Sequence, residues 1–299
     1  MDGKNNEKRG IFVVPADAAE ILFGTDVDHL KKAAEKADEG HLKMLLRLPP
    51  VNLRGSASVR EEIVGTENVL GFIEGTDKKD EVVIISGHYD HVGVRDGAIY
   101  NGSDDNGSGT VAVMELAQAF SIAKQNGHGP RRSLLFLAVS GEEKGLLGSE
   151  YYVENPVVPL KQTVANLNLD MVGRVDQEHV DNPDYVYIIG SDKLSRELHQ
   201  ISERANALYT QLELDYKYNE DGDPNRYYYR SDQYNFVKKD IPAIFYFNGT
   251  HEDYHKPTDT VDLIDFERLE KRTRLVFHTA WILANRDERI VLDKSITAN

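Results

Sequence analysis

The segment Thr250–Thr260, THEDYHKPTDT, spells H-E-x-x-H through His251, Glu252 and His255. On a helix that spacing puts two imidazoles on one face to grip zinc, with the glutamate as base. Here Asn248-Gly249 precede the motif and Pro257 follows His255 by two residues, so a loop is expected. Only His255 then stands as a ligand candidate, and His251 and Glu252 are set aside. Other groups able to hold a cation or move a proton fall at the ends of apolar runs. EVVIIS (81–86) leads into Gly87-His88-Tyr89-Asp90, and SLLFLAVS (133–140) leads into Gly141-Glu142-Glu143. TVANLNLD (163–170) ends on Asp170, while PAIFYFNG (242–249) runs towards His255. A glycine-rich turn, NGSDDNGSG, carries Asp104 and Asp105.

His88, Asp105, Glu143, Asp170 and His255 offer imidazole and carboxylate donors in a chain that has no cysteine. Nitrogen and oxygen donors without thiolates suit zinc, with manganese and cobalt as other candidates. Five donors exceed what one open catalytic zinc needs. They are enough for two ions sharing a carboxylate, a pair that polarises a carbonyl and generates hydroxide at neutral pH. Glu142, next to a candidate ligand and spare in that count, is free to carry the proton.

The elements that must position these groups alternate. Strands are expected at 81–86, 133–140, 163–170, 184–190 and 242–249. An amphipathic helix is expected over 109–127, and further helices over 146–155, 193–209 and 266–285. Continuous apolar strands between helices predict an α/β fold, a mostly parallel (mixed) central sheet flanked by helices on both faces. Sites in such sheets form at the carboxyl ends of strands, where four of these runs deliver their polar residues. Residues 1–58 read differently: GIFVVPADAAEILFG predicts a strand and a short helix, and HLKKAAEKADEGHLKMLLRL mixes helical spacing with charge. We divide the chain into a leading segment, 1–58, and a catalytic domain, 59–299.

Hydrophobic residues make up 40% of the 299 residues and charged ones 28%, which is ordinary for a soluble domain. A net charge of -15 argues against nucleic acid and anionic membranes as partners. No apolar run is long enough for a membrane span, and no signal peptide is visible.

In order along the chain, SGHYDHVG, NGSDDNGSGTVAVMELA, LFLAVSGEEKGLLGS, NLNLDMVGR, RSDQYNF and DYHKPTDT resemble a known set of motifs. They are those of the di-zinc exopeptidases that include bacterial secreted aminopeptidases and glutamate carboxypeptidases. The resemblance covers about residues 68–264 and implies a zinc-exopeptidase-like fold and two zinc ions per chain. It implies that His88, Asp105 and Asp170 bind one zinc and Asp105, Glu143 and His255 the other, Asp105 bridging, with a cis peptide after it. Glu142 matches the general base, and Asp90 the carboxylate that orients the first histidine. Arg230 and Tyr254 match residues that hold substrate or the oxyanion. Implied too are peptide substrates cut at a terminus, with aminopeptidase first and carboxypeptidase or dipeptidase open, and export of a full-length precursor. Residues 10–50 resemble the tail of a protease-associated insert. The helix that precedes that insert in the family is missing, which points to a truncated chain. The rival readings are a single-zinc acyltransferase of the glutaminyl-cyclase type and an inactive receptor-like binding domain.

Other residues carry weaker expectations. Asp104 is expected in a turn, and His91 in a structural role or at the cleft wall. His128, His179, His199 and His278 are expected on surfaces or helices. Tyr209, Tyr216, Tyr218 and Tyr227–Tyr229 could line a specificity pocket near Arg230 or cover the sheet edge. Asp259 could brace His255 or cap its own turn. Glu220, Asp221 and Asp223 read as a solvated loop.

Overall fold

The computed structural model describes residues 14–35 and 63–295, which fall in two compact units divided between Val64 and Gly65. In the leading unit, helices α1 (Ala16–Phe23) and α2 (Val27–Glu35) are described. The strand expected before α1 and the pattern expected beyond α2 lie outside the described residues.

Among its described residues the second unit has nine strands: β1 (Val69–Ile73), β2 (Lys78–His88), β3 (Gly93–Arg95), β4 (Ala98–Tyr100), β5 (Arg132–Val139), β6 (Thr163–Leu169), β7 (Tyr185–Ile189), β8 (Glu213–Asp215) and β9 (Ala243–Phe247). Strands β3 and β4 form a small hairpin, and the other seven make one mixed sheet in the order β1-β5-β2-β6-β9-β7-β8. The central strands β5, β2, β6 and β9 are parallel, while β1 and β7 pair antiparallel to β5 and β9. The fold is therefore the mixed α/β sheet that the apolar runs predict. The edge strands β1 and β8 and the hairpin went unforeseen, because they are short and half exposed.

Both faces of the sheet are covered. Helices α3 (Gly109–Gln125), α5 (Arg196–Ala205) and α7 (Phe266–Asn285) pack their apolar stripes on one face, over Val83, Ile85, Leu134 and Leu167. Helices α4 (Leu147–Glu154) and α6 (Gln233–Val237) cover Val82, Ile84, Leu135 and Leu137 on the other. The two-residue side-chain period of a strand explains this partition. Continued along β2, it puts Ser86 and His88 on the face of Val82 and Ile84. In the parallel register Ser86 lies opposite Asn168, so two residues on His88 comes level with Asp170. Gly109 lets α3 start against the end of β6, where a Cβ would stand 2.3 Å from the Leu169 carbonyl oxygen. Among the described residues no helix is long and apolar enough to cross a membrane.

Helix α7 also fixes the chain leaving β6. The buried Arg272 donates from Nε to the Tyr185 carbonyl at 2.8 Å. Its Nη1 donates to the carbonyls of Val172 and Arg174 at 2.9 and 2.7 Å. An apolar side chain there would strand three acceptors in the core, and a buried unpaired acceptor costs about 1–3 kcal/mol. Arg272→Met should therefore destabilise the chain by roughly 3–5 kcal/mol in urea unfolding. An unchanged midpoint would show that these carbonyls find other partners.

Candidate functional site

At the carboxyl ends of β2, β5, β6 and β9 the expected residues come together. His88 ends β2, buried, and its Nδ1 donates to the Asp90 carbonyl at 3.0 Å. That bond turns Nε2 towards a carboxylate cluster, with Asp170 Oδ1 at 3.3 Å, Asp105 Oδ1 at 3.4 Å and Glu142 Oε2 at 4.0 Å. The other oxygen of Asp105 lies 2.9 Å from His255 Nε2, which is also 3.2 Å from Glu143 Oε1. One carboxylate thus faces two imidazoles on opposite sides.

Each position has a local cause. Asp105 sits in the turn Ser103–Ser108, and its peptide bond to Asn106 is cis. The Asn106 side chain ties this turn to the sheet, donating to the Leu169 carbonyl and accepting from Gly109 N and Met171 N. Asp90 holds the glutamate pair, its carboxylate accepting from Glu142 N at 3.1 Å and Glu143 N at 3.4 Å. Its carboxylate is 3.7 Å from His88 Nδ1, and the backbone carbonyl of the same residue is the nearer partner of that nitrogen. Asp170 is gripped by a buried relay: Asn166 donates to Ser86, Ser86 to Asn168, Asn168 to Ser231, and Ser231 to Asp170 Oδ2 at 2.6 Å. The relay was not foreseen, although polar residues at every second position of NLNLD signal it.

One expectation is corrected and two are narrowed. Asp259 does not brace His255: its buried carboxylate accepts from the backbone N–H groups of Asp104 and Asp105, at 3.0 and 3.3 Å. His179 lies on the helical turn Gln177–His179, one of its two readings, but is buried against Tyr185 with Asp176 at 2.8 Å and Asp215 at 3.3 Å. His91 is no mere wall of the cleft, since its Nδ1 comes within 2.9 Å of Glu143 Oε1. Other expected residues fall where read. Asp104 is consumed in hydrogen bonds from Gly173 N, Ser108 and Asn248, with His251 Nε2 at 3.1 Å. The 250–259 segment is a loop, with His255 at a left-handed φ of 54°, so His251 and His255 share no helical face. Glu252 is exposed.

Arg230 is exposed, lies over the Tyr227 ring and donates to Tyr254 Oη at 3.4 Å. The Tyr254 ring stacks on His255 at 4.0 Å. Between these groups and the cluster a cleft is walled by Met171, Tyr227, Phe245 and Phe247. Of Tyr209, Tyr216, Tyr218 and Tyr227–Tyr229, Tyr227 is the one that lines it, beside Tyr254. Asp232, wholly buried and bonded by Ser149 Oγ, is pushed up to about 6 by burial.

The charges of the cluster are unequal. Burial pushes Glu142 up to about 9, reinforced by Asp170 close by. Burial also works to raise Glu143, but His255 and His91 outweigh it and hold that carboxyl at about 2. Asp105 and Glu143 raise His255 to about 10. Burial opposes the charged form of His88, yet Asp170 and Asp105 raise it well above the usual range. A set of acids and imidazoles that favours positive charge so strongly is the donor chemistry divalent cations require. One ligand atom each from His88, Glu142 and Asp170 lies within 4.8 Å of the others, as does one each from His91, Asp105 and Glu143.

A model of Peptidase family M28 matches residues 68–280. A leucine aminopeptidase 2 of Arthroderma otae is 26% identical over 87% of this chain and 54% of its own length. A probable glutamate carboxypeptidase of Arthroderma benhamiae is 37% identical over 41% of this chain and 16% of its own. The solved structure of a zinc aminopeptidase from Bacillus subtilis is 25% identical, covers 76% of this chain and 53% of its own, and aligns with a TM-score of 0.60. The chain thus spans about half, or less, of the length of each of these three proteins.

Asp259→Ala should cost roughly 2–4 kcal/mol in urea unfolding of the chelator-treated chain, since two buried N–H groups lose their acceptor. Asp259→Asn, which keeps one acceptor oxygen, should cost less. Equal losses would mean that the negative charge, rather than the acceptor geometry, holds the turn.

Proposed function

Because the chain belongs to peptidase family M28, we propose that it is a zinc-dependent exopeptidase, an aminopeptidase working with two zinc ions. The observation that carries this reading is the Asp105 carboxylate between His88 and His255, with Glu142 beside it. His88, Asp105 and Asp170 would hold one ion, and Asp105, Glu143 and His255 the other. Bound there, zinc polarises the peptide carbonyl and makes water a nucleophile at neutral pH.

The chain's own groups do the rest. Glu142 is anchored through its backbone N–H on Asp90, which leaves its carboxylate free towards the cluster. Its raised proton affinity, which cations would temper, suits a group that takes the proton from water. The same carboxyl then delivers that proton to the nitrogen of the leaving amine. Arg230 and Tyr254, paired over the mouth of the cleft, hold the carbonyl oxygen or the substrate backbone. The Met171, Tyr227, Phe245 and Phe247 walls suit an apolar terminal side chain. Asp90 places both members of the glutamate pair. Export of the full-length protein, and descent of residues 1–58 from a protease-associated insert, belong to the same proposal.

Glu142→Ala should lower turnover of aminoacyl fluorogenic substrates by about 10²–10⁴-fold with zinc content nearly intact, the usual reach of a general base. Asp105→Ala should lose zinc. Equal metal loss in both variants would undo these roles. Turnover that survives a chelator would sink the zinc reading, and one zinc per chain would favour a single-zinc acyltransferase. Zinc must also displace the protons that His88 and His255 hold in the free chain. Affinity should therefore climb as pH rises from 6 to 8, with proton release seen by calorimetry in buffers of different ionisation heat. An affinity independent of pH would rule those imidazoles out as ligands.

A further inference from the structure

The turn Tyr227–Tyr229 contributes to two different places. Tyr227 walls the cleft beside the carboxylate cluster, while Tyr228 and Tyr229 line a second pocket of about 550 Å³. Small-molecule sites usually measure about 300–1,000 Å³, and this pocket lies within that range. Tyr218 joins the two tyrosines on its wall, and its charges come from Lys193, Arg226, Glu220, Asp221 and Asp223.

Those charges are not equally free. Lys193 Nζ and Asp221 Oδ1 pair at 2.6 Å. Asp223 is occupied by backbone groups, accepting from Asn225 N at 3.0 Å and from Tyr227 N at 3.2 Å. Glu220 has no ion pair among the described residues. Arg226 lies over the Tyr229 ring at 5.1 Å and has no carboxylate partner among them either. One acid and one base are thus left over in the lining of a single pocket. A third group is also unpaired, for the buried Tyr228 hydroxyl makes no hydrogen bond among the described residues. Its ring packs on Gly190, where a Cβ would stand 2.8 Å away. Buried hydroxyls are nearly always paired, so one left unpaired in a pocket wall marks a place for a polar ligand atom.

We propose that this pocket binds a free α-amino acid with an apolar or aromatic side chain. The ligand carboxylate meets the Arg226 guanidinium, whose fork matches two carboxylate oxygens. The ammonium meets Glu220 and donates to the Tyr228 hydroxyl. The rings of Tyr218, Tyr228 and Tyr229 take the side chain and favour the nearby positive charge. A ligand with only one charge leaves Glu220 or Arg226 unanswered, so the pocket selects a zwitterion. That such a ligand is also what the neighbouring cleft releases rests on the aminopeptidase reading; the binding itself does not.

Calorimetric titration of the whole chain with L-phenylalanine, chelator-treated and zinc-loaded, tests this. The chelator-treated chain should bind phenylalanine, because no lining group belongs to the carboxylate cluster. Phenylalaninamide lacks the carboxylate and N-acetylphenylalanine the ammonium. Each should bind more weakly by about tenfold or more, the scale of one lost charge-assisted hydrogen bond. Glu220→Gln and Arg226→Gln, both at exposed positions that tolerate the change, should weaken phenylalanine by a similar factor. No binding by the native chain would overturn the proposal, and so would native affinity in both variants. Equal binding of the amide would overturn it too, since the pocket would then take a cation alone. Binding that requires zinc would place the ligand in the cleft instead. None of these results touches the zinc reading, whereas turnover that survives a chelator would sink that reading and leave this pocket's ligand in place.

Discussion

The carboxylate of Asp105 faces the imidazoles of His88 and His255 with one oxygen each. Glu142, Glu143 and Asp170 crowd the same space, and such a concentration of negative charge away from water is unfavourable unless cations neutralise it. The fold accepts this cost by holding each acid from outside the cluster. Asp259 grips the backbone of Asp104 and Asp105, Asp90 grips that of Glu142 and Glu143, and Ser231 grips Asp170. None of these supports needs a cation to be in place. Groups held by the chain's own hydrogen bonds need less ordering to bind a cation, which lowers the cost of binding one.

The parts legible in the sequence share one property: they are tied to periodic elements. His88, Glu142, Glu143 and Asp170 follow apolar runs closely, and parallel register carries those run ends to one edge. His255 could be placed because β9 precedes it in the same direction. The supports were harder to read, because they join loops far apart along the chain. Nothing about Asp259 in its own turn says that it receives the N–H groups of residues 155 and 154 positions earlier. His179 does lie on a helical turn, Gln177–His179, but its burial was not foreseen, because one of its partners, Asp215, comes from β8 while Asp176 is that turn's own cap. The relay through Asn166 and Asn168 was readable in principle. An apolar strand with polar residues on alternate positions has a buried polar face, and NLNLD was taken as uniformly buried instead.

The H-E-x-x-H letters make the complementary point. Identity and spacing of residues acquire chemical meaning only through the backbone that carries them. In a loop, with His255 in the left-handed region, the two histidines diverge. His251 is spent on Asp104, behind the cluster, while His255 enters it from the front. The glutamate between them faces solvent.

The two halves of the site differ in how deeply they are rooted. His88 and Asp170 lie at strand ends, and the polar relay that holds Asp170 runs back into the sheet. His255, with its side chain 38% exposed, stands on a loop beyond β9, and its ring is steadied by stacking on Tyr254. Sheet interiors open only with the whole fold, whereas exposed loops open locally at far lower free energy.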